Sequence, residues 1–205
     1  MTSPVNPGTV EWSGENPGIY LKDAIDGPWL SLAVFFRVVT SEHGRGLGMV
    51  VLGAPGVAQG YPAQDNLCIT DNPPLMRYLV SDFVSKFASF RNQAGVAAMT
   101  YLPMIGAETR GDARRFYSET MRAPGVDVSL VWEELQAPIA ADVPASMGPT
   151  QKHQMYSVFQ EAKTASIIVN GKPLVGRVWP RDFLGRKMST AFLAFSETWV
   201  KTPTS

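Results

Sequence analysis

Apolar and polar residues change their spacing several times along the chain, and each change marks an element. Residues 29–40, WLSLAVFFRVVT, form a nearly continuous apolar run rich in β-branched and aromatic side chains and without helix caps. That is the pattern of a strand covered on most of both faces. Residues 126–135, VDVSLVWEEL, alternate over most of their length, as a strand with one buried face does. The same reading places strands at 9–12, 19–22, 49–52, 66–70, 96–104, 115–121, 154–161, 165–169, 172–179 and 188–200. Asn170-Gly171 between two apolar runs predicts a two-residue type I′ hairpin. Two stretches without periodicity, 53–65 and 137–149, read as long loops.

The period shifts from two to 3.6 after Asp71-Asn72-Pro73-Pro74, where a capping residue stands directly before proline at the first helical position. Met76, Leu79, Val80, Phe83, Val84, Phe87 and Phe90 then share one face, with Arg77, Ser81, Asp82, Ser85, Lys86 and Ser89 opposite. The spacing predicts an amphipathic helix over about 74–91. Many strands and one principal helix imply an α+β fold, mainly antiparallel β, whose large sheet is curved or closed into a barrel-like form, because an open sheet of that size leaves two reactive edges. The 205 residues are expected to form one domain spanning 1–205. Sheets of this kind often enclose a ligand cavity.

Composition narrows the function classes. The 18 Lys and Arg balance the 18 Asp and Glu and no run of like charge occurs, so the sequence carries no footprint for nucleic acid or for an anionic membrane. Aromatic residues do not alternate with basic ones as a base-stacking platform requires. No apolar stretch reaches the roughly 18 residues of a membrane span, and residues 1–12 lack the basic-then-apolar order of a secretory leader. Cys68, the single cysteine, permits neither an intrachain disulfide nor a Cys-based zinc site. A cytoplasmic location is the expectation, and homo-oligomerisation is left open.

The chain has no G-x-G-x-x-G after a strand, no P-loop, no H-E-x-x-H and no G-x-S-x-G elbow. Gly44, Gly46 and Gly48 lack phosphate-loop spacing and read as a turn. His43 and His153 fall in expected surface turns, and Cys68 in NLCIT reads as a small buried hydrophobe. Neither a metal nor a cofactor is expected.

More informative are charges on apolar strand faces, because a buried charge is costly unless it is paired or functional. Arg37 alternates onto the face of Ala33, Phe35 and Val39. Glu197 shares a face with Leu193, Phe195 and Trp199, and Glu134 follows Val128, Leu130 and Trp132. One reading is structural: Arg37 and Glu197 pair, or these strand ends meet solvent. The functional reading uses the fact that a carboxylic acid in an apolar pocket has a raised pKa suited to acid–base work. It makes Glu197 and Glu134 the catalytic groups, Arg37 the residue that orients substrate, and Phe35, Trp132, Phe195 and Trp199 the pocket lining. The enzyme would be cofactor-independent, of lyase, isomerase or decarboxylase type, acting on a small, largely apolar organic molecule in a β-walled cavity. A non-catalytic carrier or sensor of a hydrophobic ligand would use the same cavity, and a structural protein would fill it with side chains.

Overall fold

The computed structural model describes residues 8–183 and 185–202; the stretch 1–7, read above for its lack of a leader pattern, lies outside the described residues. Strands β1 (Thr9–Glu15), β2 (Gly18–Lys22), β3 (Trp29–Ser41), β4 (Gly46–Leu52) and β5 (Asn66–Thr70) lead to helix α1 (Pro73–Asp82) and the short helix α2 (Ala94–Ala98). There follow β6 (Thr100–Pro103), β7 (Gly106–Gly111), β8 (Phe116–Ala123), β9 (Val126–Leu135), β10 (Ile139–Val143) and β11 (His153–Val169). The chain ends with β12 (Lys172–Pro173), β13 (Pro180–Phe183), β14 (Arg186–Ser189) and β15 (Ala191–Lys201).

The main sheet runs β6-β5-β4-β3-β1-β15-β11-β9-β8-β7, with β2 beside β15 and β3, and with β10 and β12 beside β11. Its pairs are antiparallel except β5 with β6. The strands at the two ends of this path are consecutive in the chain. After β6 leaves β5, the Ile105 amide donates to the Arg122 carbonyl of β8 (2.8 Å), and β7 continues along β8. The sheet therefore bends back on itself into a ring-like form, and one segment supplies both of its edges. The expected α+β, mainly antiparallel fold with a large curved sheet is the fold observed.

Two apolar clusters explain the double-sided burial of residues 29–40. Ala33, Phe35, Met49, Val51, Leu67, Ile69, Met121, Val128, Leu130, Trp132 and Leu193 come from strands all around the ring and fill its inside. Trp132 reaches across that interior to donate its indole N–H to the Gly18 carbonyl (3.0 Å). Leu32, Val34, Phe36, Val50 and Leu52 point the other way, to the outer face, where α1 covers them with Leu75, Met76, Leu79 and Val80. At about 25 cal/mol per Å² of apolar surface removed from water, two such layers account for a strand that is apolar at nearly every position.

Asn72 caps α1: its Oδ1 accepts from the Leu75 amide (3.2 Å), while its Nδ2 donates to the His43 and Arg45 carbonyls and ties the helix to the β3–β4 turn. The helix ends at Asp82, well short of the predicted 91. Phe83 leaves helical geometry (φ −122°, ψ −63°) and a 3₁₀ turn, Val84–Lys86, follows. Ser85 donates its hydroxyl to the Ser81 carbonyl (2.6 Å), the local competition with helix that serine favours. Meanwhile the Phe83 ring is drawn into an aromatic cluster with Trp12 and Trp199 (centroids 5.8 and 5.1 Å). Tertiary packing thus overrides the continuing 3.6-residue period.

Other boundaries differ too. Residues 96–104 divide between α2 and β6, the expected loop at 137–149 contains β10, and the expected strand at 172–179 contributes only Lys172–Pro173. Asn170 and Gly171 both have positive φ (49° and 74°), as the type I′ reading requires. Among the described residues, no helix is long and apolar enough to cross a membrane.

Candidate functional site

Strand β15 decides which side of the sheet carries chemistry. Leu193 and Phe195 face the ring interior, while Phe192 and Ala194 face outward. Ser196 then adopts a left-handed conformation (φ 51°), and the β11–β15 register slips: Val158 pairs with Phe195 and Tyr156 with Thr198. Ser196 and Glu197 together stand opposite Ser157, a β-bulge of two residues against one. The alternation restarts, so Glu197 and Trp199 point outward with Phe192. The expectation that Glu197 and Phe195 share a face is therefore corrected.

On that outer face lies a cavity of about 350 Å³. Tyr20 of β2, Met155 and Phe159 of β11, and Phe192, Glu197 and Trp199 of β15 form its floor. Residues 87–89 and 91 after α1, 147–149 and 151 before β11, and 181–183 in β13 contribute its walls. The early end of α1 is what releases the Phe87 segment to reach this place.

Glu197 is 3% exposed and accepts a hydrogen bond from the Trp199 indole (2.6 Å). Burial pushes its carboxyl up to about 8, and hydrogen bonds from Trp199 and Ser157 counter only part of that rise. Near neutral pH the folded protein thus holds a protonated carboxylic acid at the cavity floor. In the wall of the same cavity, the Arg181 guanidinium carbon lies 5.3, 4.9 and 5.0 Å from the ring centroids of Tyr20, Phe183 and Phe192. Its Nε is buried without a hydrogen-bond partner among the described residues. Behind Trp199 sits His153, placed in a surface turn by the sequence reading but buried in the structure between Phe83 and Trp199 (centroids 5.1 and 6.3 Å). Burial lowers its pKa, against the pull of Glu11.

The remaining candidates from the sequence lie elsewhere. Arg37 does face the ring interior beside Phe35, yet its partners are Glu15, Glu119 (2.8 Å) and Thr109 (2.8 Å), not Glu197. Phe35 and Trp132 are fully buried in the interior cluster and Phe195 packs against it, so none of the three lines the cavity. Glu134 has positive φ (53°), is exposed, and turns away from the face of Trp132. Of the seven residues, Glu197 and Trp199 alone are brought together at the cavity.

Two further charges of the same kind are not singled out by the sequence pattern above. Glu119 alternates with Tyr117 and Met121 in FYSETM, and Arg181 with Phe183 in PRDF, so the test of charge on an apolar face flags both once those stretches are read as strands. Among the described residues, no group of three or more His, Cys, Asp or Glu side chains is arranged to hold a metal ion. Compared with protein-family models, curated proteins and solved structures, the chain matches none, so its function has to be read from this site.

Proposed function

We propose that the protein is a cofactor-independent enzyme that binds a small, largely apolar organic molecule in the outer cavity and moves a proton to or from it through Glu197. The observation that carries this reading is the Glu197 carboxyl, buried in the floor of a cavity otherwise lined mainly by aromatic and aliphatic side chains, where burial pushes its pKa up to about 8. A carboxyl titrating near 8 donates its proton at neutral pH and recovers it without a large driving force, which suits general acid–base catalysis. Protonating a carbanion or enolate, the step shared by isomerisation and decarboxylation, needs such a donor held out of water, and elimination runs the transfer in reverse, the ionised carboxylate taking the proton from carbon as the leaving group departs. Trp199 fixes the carboxyl's orientation by its 2.6 Å hydrogen bond, and Phe192 and Phe159 supply apolar contact for the substrate's body.

A carrier or sensor of the same ligand is the second reading. In its favour, the hydrogen-bond partners of Glu197 are Trp199 and Ser157, neither of which titrates near neutral pH. The two readings part in one experiment. The neutral probe N-phenyl-1-naphthylamine should bind both the parent and Glu197→Gln. Small ketones and unsaturated acids incubated in D₂O should lose C–H signals by NMR with the parent, and roughly 100-fold more slowly with Glu197→Gln. Probe binding with no exchange on any compound leaves the carrier, and failure of both measurements overturns the cavity as a ligand site.

A further inference from the structure

The cavity holds a second group that the proton-transfer reading does not use. Arg181 carries a full charge on a side chain set among aromatic rings: Tyr20, Phe183 and Phe192 surround it, and Phe159 closes the group at 5.1 Å from Phe183 and 5.4 Å from Phe192. Aromatic rings attract a guanidinium through its face, but they leave its in-plane N–H donors unanswered. No carboxylate of the described residues lies within salt-bridge distance of it, and its Nε is buried and unpartnered. Glu161, an acid that acts on it electrostatically, is engaged by Arg186 (3.4 Å) and by the Ser189 amide (2.6 Å). Asp182, its neighbour in sequence, is exposed and pairs with Lys187 (2.9 Å). A desolvated guanidinium without a partner is disfavoured, and the planar fork of arginine matches one group above all, a two-oxygen anion.

We propose that the ligand of this cavity is a monocarboxylate with a one- or two-ring apolar body, its carboxylate held by Arg181 and its rings packed among Tyr20, Phe159 and Phe192. The proposal rests on the reading of the cavity as a ligand site and adds the chemical class of what enters it. About 350 Å³ accommodates a body of that size, at the small end of ligand pockets. The charges agree with a single negative charge on the ligand. Arg181 and Arg91 are the cations of the lining, Asp182 is neutralised by Lys187, and Glu197 is protonated at neutral pH and offers a hydrogen bond instead of repulsion.

The test uses two probes of nearly one shape, 2-naphthoate and the neutral 2-naphthalenemethanol, titrated calorimetrically into the full chain at pH 7. The parent should bind 2-naphthoate at least tenfold more tightly. In Arg181→Met, which keeps the length of the apolar stem, that preference should disappear while 2-naphthalenemethanol binds as before. Arg181→Lys, which keeps the charge and loses the fork, should retain part of it. Equal affinity of the parent for both probes overturns the carboxylate proposal and leaves the cavity a ligand site. No binding of either overturns both readings. A preference that survives in Arg181→Met removes Arg181 from the role. Should Arg181→Met fail to fold, the comparison in the parent and in Arg181→Lys still decides.

Discussion

The two faces of the sheet treat their charges in opposite ways. Inside the ring, Arg37 reaches from β3 to Glu15 on β1 and to Glu119 on β8, and Glu119 also accepts from Tyr117 (2.8 Å) and Thr109 (2.7 Å). Each of these three charged groups has a partner on another strand, and the network stitches the two sides of the ring together. On the outer face, Glu197 is desolvated against Trp199 and Arg181 against three rings, and no ion pair joins either of them to a described residue. Both arrangements look alike in sequence, as a charge on an apolar strand face. Their energetics differ: a satisfied network holds the fold together, whereas a desolvated acid kept protonated and a guanidinium whose buried Nε lacks a partner are tolerated where a ligand completes them.

This contrast is sharpest in the pH dependence of stability. The Glu197 carboxyl has its folded-state pKa raised from 4.5 to about 8, so the folded protein binds a proton that the unfolded chain releases. Stability therefore falls as pH rises from about 4.5 to about 8 and levels off above that range. Each tenfold gain in proton affinity corresponds to about 1.4 kcal/mol, which makes the total a few kcal/mol. Glu197→Gln removes the titration while keeping the shape. Urea melts of the two proteins should nearly coincide at pH 4 and separate progressively to pH 9, with the Gln variant the more stable. Parallel stability curves across that range would show that Glu197 is not held protonated by the fold.

Removing a carboxylate inside the ring should do the reverse. Glu119→Ala leaves Arg37 with Glu15 as its one carboxylate partner among the described residues and strips Tyr117 and Thr109 of their acceptor. Breaking a buried pair costs roughly 3–5 kcal/mol. The Arg37 side chain is 30% exposed, so a loss of about 2–3 kcal/mol is expected once solvent screening is allowed for. Denaturant midpoints at pH 7 measure it, and N-phenyl-1-naphthylamine should still bind the folded variant, because Glu119 lies outside the cavity. An unchanged midpoint would break the comparison, since the interior network would then contribute no more than the isolated outer charges.

Much of this architecture is legible in the order of residues. The cap and proline before Leu75, the Asn170-Gly171 turn and the two-sided apolar run in β3 each act locally, and each appears where local chemistry places it. The curvature of the sheet follows from the number of strands and the need to cover edges. What could not be read are events that depend on distant partners. Phe83 ends its helix because Trp12 and Trp199, some 71 and 116 positions away, accept its ring. Arg37 finds Glu119 across the ring and not Glu197, because the facing of β15 changes midway. Trp199 lines the outer cavity and Phe195 packs in the interior, for the same reason.

That change rests on Ser196, and it gives the smallest of the expected effects. A left-handed backbone costs an ordinary L-residue about 1–2 kcal/mol, more for a β-branched side chain and little for glycine. With φ at 51°, Ser196 already bears part of that strain. Ser196→Gly relieves it but adds freedom to the unfolded chain, so its melting should match the parent to within about 0.5 kcal/mol. Ser196→Val should lose about 1–2 kcal/mol, although Ser196 is exposed and a surface valine in a regular strand is harmless. Thermal melts of the three proteins distinguish a bulge from a regular strand. If valine melts with or above serine, β15 runs without a bulge, Glu197 faces the ring interior beside Phe195, and the assignment of the two faces is reversed.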